Sequence, residues 1–199
     1  KLTHFNSQTG KCNIQKAPWD LFASYWEWLK PREDEIWISS GRINERWQSG
    51  YDDRRRPYIV QRWPENWIEL HHTVAEARGI EKGDYVQVYS DRIPVQRDTI
   101  VGVEGSDFDF AELLKNGHIE LTRASHTAGP MITPAVKENL GYMDFLHTAQ
   151  PANALSGRVV DWISGNYNYK MGVGKVRKMG ESPYKHQFRS MSFARRDIA

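Results

Sequence analysis

Residues 73–91, TVAEARGIEKGDYVQVYSD, constrain the fold more than any other segment of the sequence. They predict a short helix that ends at Gly79, a turn at Gly83 and a strand that begins at Tyr85, since glycine favours helix ends and tight turns. Similar short segments predict further elements: strands at 35–39, 97–105 and 118–126, and a helix at 109–116. Many short strands with a few short helices predict a β-rich α/β barrel with short connecting helices, and not a parallel, doubly wound sheet.

Two earlier segments predict further elements. Residues 16–34, KAPWDLFASYWEWLKPRED, place aromatic and leucine side chains at helical spacing as far as Pro31. They predict a short amphipathic helix that needs another surface to pack on. Residues 56–71, RPYIVQRWPENWIELH, alternate apolar and polar side chains and predict two short strands, one on each side of Pro64.

The composition excludes several classes of function. The 199-residue chain has a net charge of +2, which gives no global attraction to nucleic acid. Its single cysteine, Cys12, excludes a disulfide framework within the chain and any multi-cysteine zinc or iron–sulfur site. We expect this cysteine to be buried as a small hydrophobe. No apolar run approaches the roughly 18 residues that a membrane-spanning helix needs, so no such helix is expected.

No catalytic or metal-binding motif stands out in the sequence. The seven histidines have no short ligand spacing, and the adjacent His71 and His72 point in different directions. The GVGK segment at 172–175 lacks the spacing and the hydroxyl residue of a phosphate-binding P-loop. The acidic residues are scattered, and nothing selects a general acid–base pair. We therefore predict no catalytic residue and no metal ligand in this chain.

Binding chemistry remains, in three segments that are distant in sequence. In the first, residues 39–50, glycine lets the backbone approach a ligand, arginine offers a planar fork of donors, and glutamine can both donate and accept. The second is ANALS at 152–156, which offers an amide, and the third is the Tyr169-Lys170 pair. Together these segments suit an elongated ligand that carries heterocycles and phosphates.

Four stretches resemble, in this order, the C-terminal molybdopterin-dinucleotide-binding domain of the dimethyl sulfoxide reductase family. They are SSGRINERWQSG, RWPENWIELH, AEARGIEKGDYVQVYSD and PANALSGRVVDWISGNYNYK. The resemblance implies a double-psi β-barrel with a C-terminal extension for residues 35–199, and a connecting segment from a preceding domain for residues 1–34. Within the family, the closer resemblance is to the large subunit of arsenite oxidase, through GKCNIQKAPWDLF, GRINERWQSGYDDRRRPYI, RWPEN and MGESPYKHQFRSMSFARR.

The resemblance also implies a set of cofactor-binding residues. In the family, the Ser-Gly-Arg turn approaches a pterin. A loop that corresponds to Pro64-Glu65-Asn66 lies beside the cofactor, and late Asn and Tyr-Lys motifs close over it. The matching residues here are Ser40, Gly41, Arg42, Arg46, Trp47, Gln48, Ser49, Asn66, Asn153, Tyr169 and Lys170. Many relatives carry histidine at the positions of Arg46 and Gln48, although glutamine is still a competent donor.

The resemblance further implies what surrounds this chain. The cofactor would be a bis(molybdopterin guanine dinucleotide) molybdenum cofactor, with an iron–sulfur cluster in the preceding domains rather than here. Expected partners are those domains, a Rieske-type iron–sulfur small subunit and a cytochrome c or similar electron carrier, with no nucleic acid and in a periplasmic location. The expected reaction is the oxidation of arsenite to arsenate, and this fragment by itself is not expected to be catalytically competent.

Two alternatives stay open. An iodate reductase, or another oxyanion reductase on the same scaffold, is similar over this region, and the substrate-selecting residues are expected outside this chain. A stand-alone double-psi barrel that binds a ligand or a partner without redox chemistry is the alternative from another class. The aromatic face of the predicted helix in residues 16–34 argues against such autonomy, because an exposed apolar face needs a neighbour.

Overall fold

The computed structural model describes residues 3–12, 19–43, 55–98, 109–145, 147, 150–160, 166–168 and 170–185. The helices in these ranges are α1 (Trp19–Leu29), α2 (Pro57–Arg62), α3 (His72–Ala77), α4 (Phe110–Lys115) and a 3₁₀ helix (Ala152–Leu155). The strands are β1 (Ile36–Gly41), β2 (Trp67–Leu70), β3 (Asp84–Gln96), β4 (Ile119–Ile132), β5 (Leu140–Asp144) and β6 (Met171–Glu181). None of the helices in the described ranges is long and apolar enough to cross a membrane.

The six strands close into a barrel in the order β1-β5-β2-β4-β3-β6. The β1–β5 and β2–β4 pairs are parallel, and the other four pairs are antiparallel. This architecture confirms the prediction of a β-rich barrel with short connecting helices. The double-psi crossing that the resemblance implies stays a prediction.

The barrel interior is filled by aliphatic side chains from all six strands and from α3. Two members of this core come from the 3₁₀ helix, Ala152 and Leu155, which are both buried. The other buried members are Ile36, Ile38, Ile68, Leu70, Val74, Ala75, Ile80, Val86, Val88, Ile93, Ala128, Met143 and Val176. The loop that carries the 3₁₀ helix is therefore anchored in the core.

The helix–turn–strand unit at 73–91 has the predicted form. Gly79 and Gly83 have φ angles of +60° and +90°, a backbone region that glycine adopts without the steric cost of a Cβ. The side chain of His71 accepts a hydrogen bond from the backbone N–H of Thr73 and caps α3. Helix α4 ends before Gly117, as predicted from the sequence.

Two local predictions are wrong, one strand was not predicted, and one predicted strand lies mostly outside the described residues. The first of the two strands expected within 56–71 is the helix α2, because Pro57 occupies its first turn, where the missing N–H and fixed φ of proline favour a helix. Strand β6 was not predicted, because its glycines interrupt the apolar alternation. Cys12 is exposed, since it lies in a short turn segment whose side chains are almost all exposed. The strand predicted at 97–105 lies mostly outside the described residues.

Helix α1 packs on this chain's own barrel. Tyr25 and Leu29 are buried, and the ring of Tyr25 lies 4.8 Å from that of Phe110 at the start of α4. The next residue, the half-exposed Trp26, stacks on Trp37 of β1 with 5.0 Å between ring centroids. The sequence predicted that this helix needs another surface to pack on, and that surface is present within the chain. The domain boundary between residues 34 and 35 stays a prediction.

A buried arginine attaches the end of α1 to the barrel. Arg92 lies within the irregularity in β3 between Ser90 and Ile93, and its side chain is 3% exposed. Its guanidinium donates to three backbone carbonyls at the end of the helix, those of Trp28, Leu29 and Lys30, at 3.0, 3.3 and 2.8 Å. These carbonyls have no partner within a helix, so a cation is favoured there.

The same arginine forms a buried ion pair with Glu35. Arg92 Nη2 lies 2.5 Å from Glu35 Oε2, and its Nε donates to the same carboxylate at 2.9 Å. Burial opposes the ionisation of Glu35. The hydrogen bonds from Arg92 and from the backbone N–H of Arg32 outweigh burial and hold the pKa of Glu35 below its ordinary value.

Candidate functional site

Four strand ends meet at one place on the barrel. The parallel register of β1 and β5 sets Gly41 beside Asp144, at the last residue of each strand. The antiparallel registers bring the start of β2 to the end of β5 and the start of β6 to the end of β1. The described residues of the three segments with predicted binding chemistry adjoin these strand ends.

Three predicted site residues form one hydrogen-bonded constellation. The buried Ser40 donates from Oγ to Oδ1 of Asn153 at 2.8 Å, across a separation of 113 residues. Lys170 Nζ donates to the backbone carbonyl of Ser40 at 3.3 Å. The same Nζ lies 5.1 Å from the ring centroid of Phe145, within cation–π range. The structure therefore brings together residues from all three segments.

The ring of Tyr142 lies so close to the backbone at position 41 that only glycine fits there. A Cβ at this position would lie 2.7 Å from Cζ of Tyr142, so any other residue would displace that ring. The hydroxyl of Tyr142 donates to the backbone carbonyl of Arg42 at 2.9 Å, and the N–H of Phe145 donates to the carbonyl of Gly41 at 3.0 Å. Burial raises the pKa of Tyr142, and the carboxylates of β5 and β2 act in the same direction, which keeps the hydroxyl a donor. These contacts hold the backbone of residues 40–43, here called the Ser40 segment.

Asn66 contacts its own chain with its whole amide group. Its side chain is 1% exposed, and Nδ2 donates to the backbone carbonyls of Asp144 at 3.3 Å and Gln150 at 2.8 Å. Oδ1 accepts from the N–H of Trp67 at 2.8 Å. Because both amide N–H groups are occupied within the chain, Asn66 positions the neighbouring loop in this structure.

Glu65, the residue beside Asn66, is a buried carboxyl group that was not among the predicted site residues. It is 5% exposed, and its Oε1 accepts from Oγ of Ser182 at 2.8 Å. Its other oxygen has no hydrogen-bond partner among the residues that the structure describes. Burial raises the pKa of Glu65 to about 7, against the opposing effect of the Ser182 hydrogen bond.

The remaining predicted site residues cannot be placed. Arg46, Trp47, Gln48, Ser49 and Tyr169 lie outside the described residues. Within the described ranges, no group of three or more histidine, cysteine, aspartate or glutamate residues could hold a metal ion.

The described site residues place several hydrogen-bond donors at this end of the barrel, here called the rim. The side chain of Arg42 is exposed, and Lys170 is a second cation. Asn153 bonds to Ser40 through its oxygen, Oδ1, and not through its amide nitrogen. Guanidinium and ammonium groups favour phosphate oxygens, and amide N–H groups suit the acceptor edge of a heterocycle. This donor set fits a dinucleotide cofactor that carries a pyrophosphate and a pterin or purine.

A closed barrel with such donors at one end is compatible with one known class of domain. Residues 36–102 match the family model described as "Molydopterin dinucleotide binding domain". Residues 36–102 therefore belong to this family of domains, which confirms the resemblance of the sequence motifs to a molybdopterin-dinucleotide-binding domain.

The individual relatives are subunits of two kinds of enzyme. The chain is 40% identical, over 99% of its length, to the iodate reductase subunit IdrA of Pseudomonas sp. (strain SCT) and to that of Denitromonas iodatirespirans. It is 29% identical, over 88% of its length, to the arsenite oxidase subunit AioA of Herminiimonas arsenicoxydans. The chain spans 22% of the length of the iodate reductase subunits and 17% of the length of the arsenite oxidase subunit. The comparisons thus favour the iodate reductase alternative over the arsenite oxidase that the sequence motifs suggested.

Proposed function

We propose that this chain binds part of a molybdopterin guanine dinucleotide cofactor in a molybdenum oxidoreductase that acts on an oxyanion, iodate in preference to arsenite. The observation that carries the binding role is the Ser40–Asn153–Lys170 constellation, which assembles donors from distant segments at one end of β1. Family membership and the greater identity to iodate reductase subunits support the class of reaction.

On this proposal, the chain's residues bind and orient the cofactor and form no bond with substrate. The Arg42 guanidinium and the Lys170 ammonium would hold phosphate oxygens, and the Asn153 amide would donate to a heterocycle edge. Arg46, Trp47, Gln48, Ser49 and Tyr169 would add contacts by their match to the family motifs. The bound molybdenum would supply two-electron chemistry with oxygen-atom transfer.

The Arg42→Ala variant of the full protein is expected to retain about tenfold less cofactor than the wild type, because it loses a charge-assisted, bidentate contact. Lys170→Ala is expected to act in the same direction but more weakly, since an ammonium group is a point charge and cannot bind phosphate through the bidentate fork of an arginine. Molybdenum and pterin per protein measure both effects. Arg97→Ala, at an exposed arginine paired with Glu120, is the matched control. Full cofactor content in Arg42→Ala would contradict the binding role.

Substrate preference is expected to follow the comparisons. The chain is 40% identical to iodate reductase subunits and 29% identical to an arsenite oxidase subunit. We therefore expect the full protein to have a higher kcat/KM for the reduction of iodate than for the oxidation of arsenite. Steady-state assays with each substrate, at matched molybdenum content, measure the ratio. Faster turnover of arsenite would return the assignment to arsenite oxidase.

The proposal extends to the surroundings of the chain. We expect a second pterin dinucleotide on the same molybdenum, an iron–sulfur cluster held by other domains, a Rieske-type small subunit, a cytochrome c or similar electron carrier, and a periplasmic location. Iron content, subunit co-purification and cell fractionation test these expectations one by one.

A stand-alone barrel without redox chemistry is the competing proposal. Helix α1 packs within the chain through Tyr25 and Leu29, so its aromatic face does not require a neighbouring domain. Membership of a dinucleotide-binding family now carries the case for a cofactor. A protein purified from its native source without pterin would favour the stand-alone module.

A further inference from the structure

A set of hydrogen bonds between Gln150 and Thr127, here called the lock, joins the loop that carries Asn153 to β4. This loop, residues 150–156, contains the 3₁₀ helix and is called the Asn153 loop below. At its first residue, the Gln150 side-chain amide contacts Thr127 of β4. Gln150 Oε1 accepts from the backbone N–H of Thr127 and from its hydroxyl, the latter at 2.9 Å. Gln150 Nε2 lies 2.7 Å from the same hydroxyl.

The Thr127 hydroxyl is the centre of this lock. It accepts from the hydroxyl of Tyr85 on β3 at 2.6 Å and can donate its proton to Gln150 Oε1. Gln150 Nε2 belongs to the same amide and lies on the same side of the hydroxyl, so the hydroxyl bonds with Oε1 or with Nε2 at any one time. The backbone carbonyl of Gln150 also accepts from Asn66 at 2.8 Å. Gln150 is thereby held from two directions, by β4 and by the start of β2.

The remaining contacts connect this lock to the cofactor-binding residues. Beyond the lock, the N–H of Asn153 donates to the carbonyl of Phe145 at 3.4 Å, and Asn153 Oδ1 accepts from Ser40. The N–H of Phe145 bonds in turn to the carbonyl of Gly41. The direct contact with the Ser40 segment, between Asn153 and Ser40, therefore depends on where the Asn153 loop lies, and Gln150 bonds this loop to β4.

We propose that Gln150 and Thr127 are positioning residues: their lock holds the Asn153 loop against the Ser40 segment, and it sets how well the chain retains a pterin dinucleotide. This inference rests on the proposed function, because retention has meaning only if that cofactor binds here. Neither residue is assigned a contact with the cofactor. The lock acts through Asn153, which it places within hydrogen-bond distance of Ser40.

The test compares Thr127→Val, Thr127→Ser and Gln150→Ala in the full protein. Valine has the shape of threonine without its hydroxyl, whereas serine keeps the hydroxyl. Gln150→Ala removes the lock from the loop side and leaves β4 intact, so it covers the case in which the valine variant fails to fold. Thr122→Val, on the same strand and outside the lock, is the matched control.

Two readouts separate positioning from general stability. Hydrogen exchange of amides 150–156 in cofactor-free protein is expected to be about tenfold faster in Thr127→Val and Gln150→Ala, and near wild type in Thr127→Ser and Thr122→Val. Cofactor retention, measured as molybdenum and released pterin after dialysis, is expected to fall in the same two variants only.

Unchanged exchange in both lock variants would overturn the lock, and faster exchange with full cofactor retention would overturn its positioning role. A wild-type protein that holds no pterin would overturn the proposed function and this inference with it. The exchange rates distinguish that failure from a failure of the lock alone.

Discussion

Arg92→Met is expected to lower the free energy of unfolding by about 3–5 kcal/mol, because it removes one partner of a buried ion pair and leaves the other charge unpaired. Glu35 is 5% exposed in its side chain and would lose the guanidinium that keeps its pKa low. The carbonyls at the end of α1 would lose their shared donor as well. Urea unfolding followed by tryptophan fluorescence measures the change.

The chain contains a matched control for this prediction. Arg97 pairs with Glu120 at 2.5 Å, but both side chains are more than half exposed. Arg97→Met is expected to cost at most about 1 kcal/mol, since exposed ion pairs contribute little. An Arg92→Met, Glu35→Gln double variant is expected to recover part of the loss, because no buried charge then remains unpaired. Equal costs for Arg92→Met and Arg97→Met would contradict the role assigned to the buried pair.

Glu65→Gln is expected to stabilise the protein at alkaline pH and to change little at pH 5. Burial raises the pKa of Glu65 to about 7 from its ordinary value of 4.5. As pH rises between these two values, the unfolded chain releases the proton while the folded chain keeps it, so stability falls and then levels off above the folded pKa. The full shift corresponds to about 3 kcal/mol, and partial hydration of the carboxylate reduces the expected loss to about 2 kcal/mol.

Glutamine removes this pH dependence without removing the acceptor for Ser182. The stability difference between Glu65→Gln and the wild type is therefore expected to grow from pH 5 to pH 8, with the variant the more stable at pH 8. Glu138→Gln, at an exposed glutamate, controls for the loss of one carboxylate on the surface. A difference that stays constant over this range would show that Glu65 is ionised in the folded protein at pH 5.

Local patterns in the sequence predicted the parts of the fold that local physics decides. Helix α3, the turn at Gly83 and the end of α4 at Gly117 depend on backbone conformations that glycine adopts easily, and these elements are where the sequence placed them. The helix α2 was missed because its apolar residues also suit a strand, and only its proline favours a helix.

The candidate site could be predicted as three segments but not as one place. Ser40, Asn153 and Lys170 were named from family motifs, and their contacts span 113 and 130 residues of sequence. No local pattern encodes such contacts, because they depend on which strands pair and in which register. The sequence did not indicate the roles of Thr127 and Gln150, because each is an ordinary polar residue. Their contact depends on the packing of the Asn153 loop against β4.

By itself, the sequence determined the class of barrel, its helix ends and turns, and the motifs that assign the family, because these depend on residue type and short spacing. The tertiary structure alone decided that Tyr142 makes glycine necessary at position 41, that Arg92 is paired with Glu35, and that Glu65 is buried with a raised pKa. Each of these follows from burial and close contact between segments far apart in the chain, and burial is what turns an ordinary polar residue into one with a large energetic effect.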